Sequence, residues 1–143
     1  MKILLVSFNA KYIHSSLALR LIEGYCSDYK EHLEVLELTI NNEMHEIIKQ
    51  LYNKQPDVLG LSCYIWNMDL IEELLPILTK VLPNTKIVLG GPEVSYNSEA
   101  LFERLPIDLV IENEGEETWY VLLLLLSVVA SITAGIVDRK SVV

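Results

Sequence analysis

The chain has 143 residues, enough for one domain with a substantial core, and its 51% hydrophobic and 22% charged residues are the balance of a globular protein rather than a disordered one. A formal net charge of -9 without any cluster of Lys or Arg excludes a nucleic-acid partner, because neutralising phosphates takes clustered cations; it weighs more weakly against a polyphosphate, which backbone amides bind without them. Cys26 and Cys63 stand in no CxxC or Cys/His spacing, so the chain encodes neither a zinc site nor an iron–sulfur site; the two could form one disulfide, and the favoured reading is two reduced thiols of a cytoplasmic protein.

Strand and helix patterns alternate along the chain. Residues 2–7 are a continuous apolar run, the signature of a strand covered on both faces, and too short for a signal-peptide core. Ser15 and Ser16 can cap a helix carrying Leu17, Leu21 and Tyr25 on one face. Residues 33–40 form a second strand. Asn41-Asn42 opens a helix whose Met44, Ile47, Ile48 and Leu51 make an i, i+3, i+4, i+7 stripe, ended by Gln55-Pro56. Residues 58–62 are a third strand. Residues 69–82 are helical by period, with Pro76 expected to kink the helix or delay its start. Residues 86–89 are a fourth strand, residues 98–105 a short helix stopped by Pro106, residues 109–111 a fifth strand, and Glu116 opens the last helix. Residues 121–134 are almost wholly apolar, yet fall short of the ~18–20 residues that span a bilayer, so they read as a buried or partner-covered helix and no membrane role is assigned. Residues 135–143 resemble a further strand and turn just beginning, as if the chain were a piece of something longer.

Five βα units with right-handed crossovers give an α/β fold: a five-stranded parallel sheet between helical layers, a flavodoxin-like (Rossmann-like) three-layer sandwich with strand order 2-1-3-4-5. Ligands bind such sheets outside the strand C-terminal ends. After strand one comes a long loop, residues 7–16, with no GxGxxG and no acidic cluster; Asn9 and Lys11 are its polar candidates. His14 has the donor chemistry for a metal, but a surface histidine beside a helix N-terminus explains it as well. After strand three, Ser62 ends a buried strand, and Tyr64 and Trp66 can form a flat wall against a ligand ring or simply cover the sheet's edge. Cys63 between them fits a small buried residue. After strand four, Gly90-Gly91-Pro92-Glu93 permits positive φ and close approach of backbone to a ligand; a tight turn alone would need one glycine. After strand five, Glu116 and Glu117 suit the first turn of a helix, while Glu114 and Gly115 are weaker ligand candidates. The rim has amides, hydroxyls, glycines and aromatics but no catalytic constellation, which suits a large, flat, mostly neutral ligand.

The strings Asn9-Ala10-Lys11-Tyr12-Ile13-His14 with Leu17-Ala18-Leu19-Arg20, Glu37-Leu38-Thr39-Ile40-Asn41, Ser62-Cys63-Tyr64-Ile65-Trp66-Asn67, Gly90-Gly91-Pro92-Glu93-Val94-Ser95 and Glu114-Gly115-Glu116 jointly resemble the N-terminal cobalamin-binding domain of B12-dependent radical SAM proteins, the group that includes the anaerobic magnesium-protoporphyrin monomethyl ester cyclase type. The resemblance covers roughly residues 1–120. It implies the α/β fold already read, cobalamin as cofactor, and the cofactor's tail along the rim, with Ser62, Gly90 and Gly91 lining its slot and the loop after strand one against the corrin. The implied cofactor-binding residues are Asn9, Lys11, Tyr12, Ser62, Cys63, Tyr64, Trp66, Gly90, Gly91, Pro92, Glu93, Glu114 and Gly115. The Asp-x-His-x-x-Gly pattern of histidine-ligated cobalamin domains is not matched around His14, where Tyr12 and Leu17 stand at the flanking positions, so no histidine is expected on the cobalt.

The implied division is a cobalamin-binding domain over residues 1–126 and the start of a linker over residues 127–143, leading to a C-terminal radical SAM domain as partner. S-adenosylmethionine and a [4Fe-4S] cluster would belong to that domain, because no Cys-x-x-x-Cys-x-x-Cys motif is present here. No catalytic residue is assigned to this chain. The alternatives are a cofactor-free α/β interaction domain that docks a partner, or a second copy, through the apolar last helix, and, less well matched, a flavin-binding relative whose phosphate loop would be reduced to Ser15-Ser16.

Overall fold

Apolar runs of β-branched and leucine side chains assemble here into one parallel sheet. The computed structural model describes residues 1–11, 16–96, 98–112, 119 and 141–142. In chain order it contains β1 (Ile3–Asn9), α1 (Leu17–Tyr25), β2 (Leu33–Thr39), α2 (Met44–Lys54), β3 (Val58–Ser62), α3 (Met68–Val81), β4 (Lys86–Gly90), α4 (Ser98–Arg104), β5 (Leu109–Ile111) and β6 (Ser141–Val142). The strands are ordered β2-β1-β3-β4-β5-β6 and every pairing is parallel. The 2-1-3-4-5 order expected of a flavodoxin-like sheet is present, and β6 extends it by a short strand at the β5 edge. Strand β1 is buried along its whole length, as a central strand covered on both faces must be.

Alternation along the strands divides the core in two. On one face Leu4, Val6, Phe8, Leu59 and Leu61 pack with Ile47 and Leu51 of α2 and Ile71, Leu74, Leu75 and Leu78 of α3. On the other, Ile3, Leu5, Val58, Val88, Leu109 and Ile111 pack with Leu19 and Ile22 of α1 and with Trp119. The strand order reverses between β1 and β3, so their following segments depart to opposite faces and leave a crevice at the C-terminal edge.

Local signals behave as their chemistry requires, with two departures. Ser16 caps α1, its hydroxyl accepting from the Leu19 amide at 3.4 Å. The helix turns a different side inward than the Leu17, Leu21, Tyr25 stripe suggests: those three are exposed, while Leu19 and Ile22 are buried. The second departure is α3, which starts at Met68 and runs on through Pro76 to Val81, so the proline does not delay its start. Gln55 ends α2 in the left-handed region at φ 46°, immediately before Pro56. Among the described residues no helix is long and apolar enough to cross a membrane. The helix expected from Glu116 and the apolar run 121–134 lie outside the described residues, apart from helical Trp119.

Candidate functional site

Strand register lays two rows of side chains across the face that carries α1. The rim row is Ser7, Ser62, Gly90 and Ile111; the row below it is Leu5, Gly60, Val88 and Leu109. Ser62, Gly90 and Gly60 bring almost no side-chain volume to the middle of that face. α1, through Ala18, Leu19 and Ile22, roofs it over, and Trp119 fills only the notch at Gly60. The result is a slot of about 740 Å³ that opens at the rim between Tyr64, Gly91, Pro92, Ser95 and Tyr96 and ends against Leu5, Gly60 and Trp119. That volume is in the range of small-molecule and cofactor sites. A second cavity of about 410 Å³ adjoins it, between Asn9, Ser16 and Leu17 on one side and Tyr64 and Trp66 on the other.

Ser62 is 93% buried and its hydroxyl makes no hydrogen bond to any described residue, although it lines the slot. The hydroxyl is open to the slot, so a ligand acceptor there can take its hydrogen bond. Gly60 interrupts a fully buried strand; a Cβ there would lie 2.7 Å from Trp119 Cζ2 and 2.7 Å from Leu5 Cδ2. Gly90 differs. A Cβ on it would meet only ordinary contacts with Ile111, at 3.9 Å, so packing against the protein does not demand glycine there.

Gly91 is glycine for a backbone reason. Its φ is +108°, and a Cβ would sit 2.9 Å from the Cys63 amide nitrogen and nearer still to the Cys63 carbonyl oxygen. The Cys63 amide donates to the Gly90 carbonyl at 2.7 Å, and the Glu93 amide donates to the Cys63 carbonyl at 3.3 Å. The two loops are thereby laced together at the rim, and the Ser95 hydroxyl adds a bond to the Gly91 carbonyl at 2.9 Å. Fully buried Asn67 ties the next seam. Its amide donates to the Ser62 carbonyl at 2.9 Å and the Phe8 carbonyl at 3.2 Å, and its oxygen accepts from the Tyr64 amide at 2.8 Å.

Tyr64 and Trp66 stack face to face, with ring centroids 4.4 Å apart and planes 5° from parallel. Trp66 Nε1 donates to the Phe8 carbonyl at 3.1 Å, which fixes the pair over the end of β1. The segment after β1 is held from β2. Glu37 accepts from the Ser16 amide, from Arg20 Nη2 at 2.6 Å and from Asn9 Nδ2 at 3.4 Å, and Ser7 donates to Asn9 Oδ1 at 2.8 Å. Burial works against the Glu37 anion, but the Ser16 amide, Arg20 and Asn9 outweigh it and hold the carboxyl below its usual range. Burial pushes the Cys26 thiol up to about 11 and the Cys63 thiol up to about 12, so both stay protonated at neutral pH; neither is in a disulfide.

Of the residues singled out from sequence, Ser62, Tyr64, Gly90, Gly91 and Pro92 line the main slot, and Asn9, Tyr64 and Trp66 line the smaller cavity. The Cys63 side chain belongs to the core on the opposite face. Lys11 and Glu93 are exposed and line neither cavity. Tyr12, His14, Glu114, Gly115, Glu116 and Glu117 lie outside the described residues. Among the described residues no three His, Cys, Asp or Glu side chains converge as a metal site would require. Gly60, Trp119, Ala18, Ser95 and Tyr96 line the slot without having been singled out. Gly60 carried a usable signal, since glycine inside an apolar strand marks a close approach; the others join the slot only through tertiary packing.

Comparison with known proteins gives this arrangement a family. The model of the B12 binding domain matches residues 3–123. The chain belongs to that family of B12-binding domains. It is 33% identical over 109 residues, 70% of its length, to 4'-phospho-dehydrooxetanocin synthase of Priestia megaterium, and 38% identical over 63 residues, 43% of its length, to the cobalamin-dependent radical SAM methyltransferase TokK of Streptomyces tokunonensis. It spans 15% and 9% of those two proteins' lengths. Its fold matches that of the cobalamin-dependent S-adenosylmethionine radical enzyme OxsB, solved with aqua-cobalamin and S-adenosylmethionine, with a TM-score of 0.74 at 23% identity over 96% of this chain and 20% of that one.

Proposed function

We propose that the chain is the cobalamin-binding module of a larger B12-dependent radical SAM enzyme. The slot between the sheet and α1 takes the cofactor's nucleotide tail, and the corrin lies over the rim. The observation that carries this reading is a slot of about 740 Å³ whose floor is left open at Gly90 and which the Ser62 hydroxyl, bonded to no described residue, lines. A flat heterocycle fits between α1 and the sheet on the rim side of Trp119, and one of its ring nitrogens can accept from Ser62. The stacked Tyr64–Trp66 pair and the Gly91-Pro92-Glu93 turn offer the flat surface and backbone edge a corrin needs, with Asn9 beside the pair and Lys11 in the same proposed contact set. Tyr12, Glu114 and Gly115 complete the proposed contact set, and Cys63 contributes through its backbone.

No histidine is assigned to the lower face of the cobalt, and His14 is left out of the ligand set. When bound, cobalamin supplies a cobalt centre able to carry a methyl group or take part in radical chemistry; the chain's own residues hold and orient it. Residues 1–126 are the binding domain and residues 127–143 begin the link to a radical SAM domain, where S-adenosylmethionine and the [4Fe-4S] cluster are held. Mixing the purified chain with hydroxocobalamin, desalting, and recording the visible spectrum tests the reading. Retained corrin absorbance supports it; a colourless protein fraction refutes it and favours a cofactor-free interaction domain.

A further inference from the structure

The polarity of the slot is graded along its depth. Among its described lining residues, hydroxyl groups sit at the mouth, on Ser62, Tyr64, Ser95 and Tyr96. Two residues further down β3, about 7 Å along a strand, the lining is carbon: Leu5, Leu19, Ile22 and the benzo edge of Trp119. The backbone of Gly60 adds nothing polar there, since β3 is paired on both sides, with β1 and with β4. Trp119 closes this end. It is 4% exposed, and its Cζ2 and Cη2 occupy the notch where any side chain at position 60 would stand, 2.7 and 2.9 Å from an ideal Cβ.

From this we infer that the slot selects among cobamides by the far edge of the nucleotide base, accepting an alkylated benzimidazole and disfavouring a purine, with Trp119 on Gly60 as the residue that sets the selection. This rests on the cobalamin reading above. A base entering from the rim meets Ser62 first and presents its far edge to Trp119. The methylated benzo edge of dimethylbenzimidazole is all carbon and loses nothing there. A purine carries ring nitrogens and an exocyclic amine at that edge, and the carbon lining of Leu5, Leu19, Ile22 and the Trp119 benzo edge offers these no partner. One polar group left unpaired in this way weakens binding by roughly tenfold or more.

The test is equilibrium binding of hydroxocobalamin and of the adenine-containing cobamide in the same hydroxo form, read by the visible corrin spectrum and by tryptophan fluorescence quenching. The native chain is expected to bind hydroxocobalamin at least about tenfold more tightly. In Trp119→Ala, where water can reach the deep end, the two affinities are expected to converge to within about threefold while the rim contacts persist. Trp119→Phe, which keeps a buried ring but withdraws the benzo edge from Gly60, keeps the question answerable if Trp119→Ala does not melt cooperatively; it too should narrow the gap. Equal affinities in the native chain would overturn the selectivity and leave the cofactor reading standing. Binding of neither cobamide would overturn the cofactor reading itself. An undiminished gap in a folded Trp119 variant would remove Trp119 from the selection.

Discussion

The two adjacent glycines of the rim should fail in opposite ways. At Gly91 the backbone has φ +108° and ψ 175°, a region open essentially to glycine alone, and holding alanine there costs about 1–3 kcal/mol. The new Cβ would also press on the Cys63 peptide, 2.9 Å from its nitrogen. That peptide cannot retreat without breaking its bonds to Gly90 and Glu93, each worth about 1 kcal/mol. Gly91→Ala is therefore expected to destabilise the fold by about 3 kcal/mol or more, a fall of roughly 10 °C in melting temperature for a chain of this length. At Gly90 the nearest described atoms to a new Cβ are Ile111 Cβ and O at 3.9 Å, and the φ is ordinary. Gly90→Ala should melt within about 0.5 kcal/mol of the native chain, and Gly90→Val close to it, because the added atoms enter the slot. The same atoms take space beside Ser62, so Gly90→Val should lose retained cobalamin while keeping its melting temperature. Circular-dichroism melts paired with corrin retention after desalting measure both effects. Cobalamin retained at native affinity by a folded Gly90→Val would refute the placement of the tail over this strand, and a native melting temperature for Gly91→Ala would refute the backbone account of the rim.

Ser62→Ala should leave stability nearly unchanged, because the hydroxyl bonds no described residue, and should weaken hydroxocobalamin binding by up to roughly tenfold; a titration followed by fluorescence quenching reads this. Asn67→Ala takes the side-chain partner from the Tyr64 amide and one bond each from the Ser62 and Phe8 carbonyls, the latter keeping Trp66 Nε1, and should cost about 1–3 kcal/mol, read as a lower urea midpoint. Glu37 is expected to steepen the acid limb of stability. Its folded-state carboxyl titrates below the usual value near ~4.3, so its contribution is complete above that value and is lost as the pH falls through the lower folded one. Glu34, held down chiefly by Lys54, acts in the same direction. Glu37→Gln should cost about 1 kcal/mol at neutral pH, Arg20 being half exposed, and flatten the acid limb in melts from pH 7 to pH 3. His14→Ala should leave the spectrum of bound hydroxocobalamin unchanged; a shifted spectrum would put a histidine on the cobalt.

The elements were legible in the sequence where one physical signal acted alone. The apolar run from Val58 to Ser62 has no polar residue before its end and forms a buried strand with those bounds. Ser16 announced the start of α1, and Gln55-Pro56 the end of α2. Signals misled where two surfaces competed for the same apolar side chains. Leu17, Leu21 and Tyr25 make a good helical stripe, yet Leu19 and Ile22 are the residues the sheet takes. The choice depends on how α1 is rotated over β1 and β2, and no local pattern fixes that rotation. Pro76 shows the same limit, because packing of Leu74, Leu75 and Leu78 holds α3 together across it.

The rim was legible for a reason that does not extend into the slot. Residues at strand C-terminal ends announce themselves, because chain direction alone puts Ser62, Gly90 and Gly91 on one edge. Depth is a property of register. Gly60 joins the site because it pairs with Leu5 and Val88 one row beneath Ser62, and Trp119 joins because Gly60 leaves it room. Neither relation exists until the strands are aligned. A one-residue slip of β3 would turn Gly60 and Ser62 to the opposite core and put Leu59 and Leu61 in the slot. The apolar strength of Leu59 and Leu61, buried against α2 and α3, is therefore what keeps the small residues facing α1. The cavity is maintained by packing on the side of the sheet that the ligand does not touch.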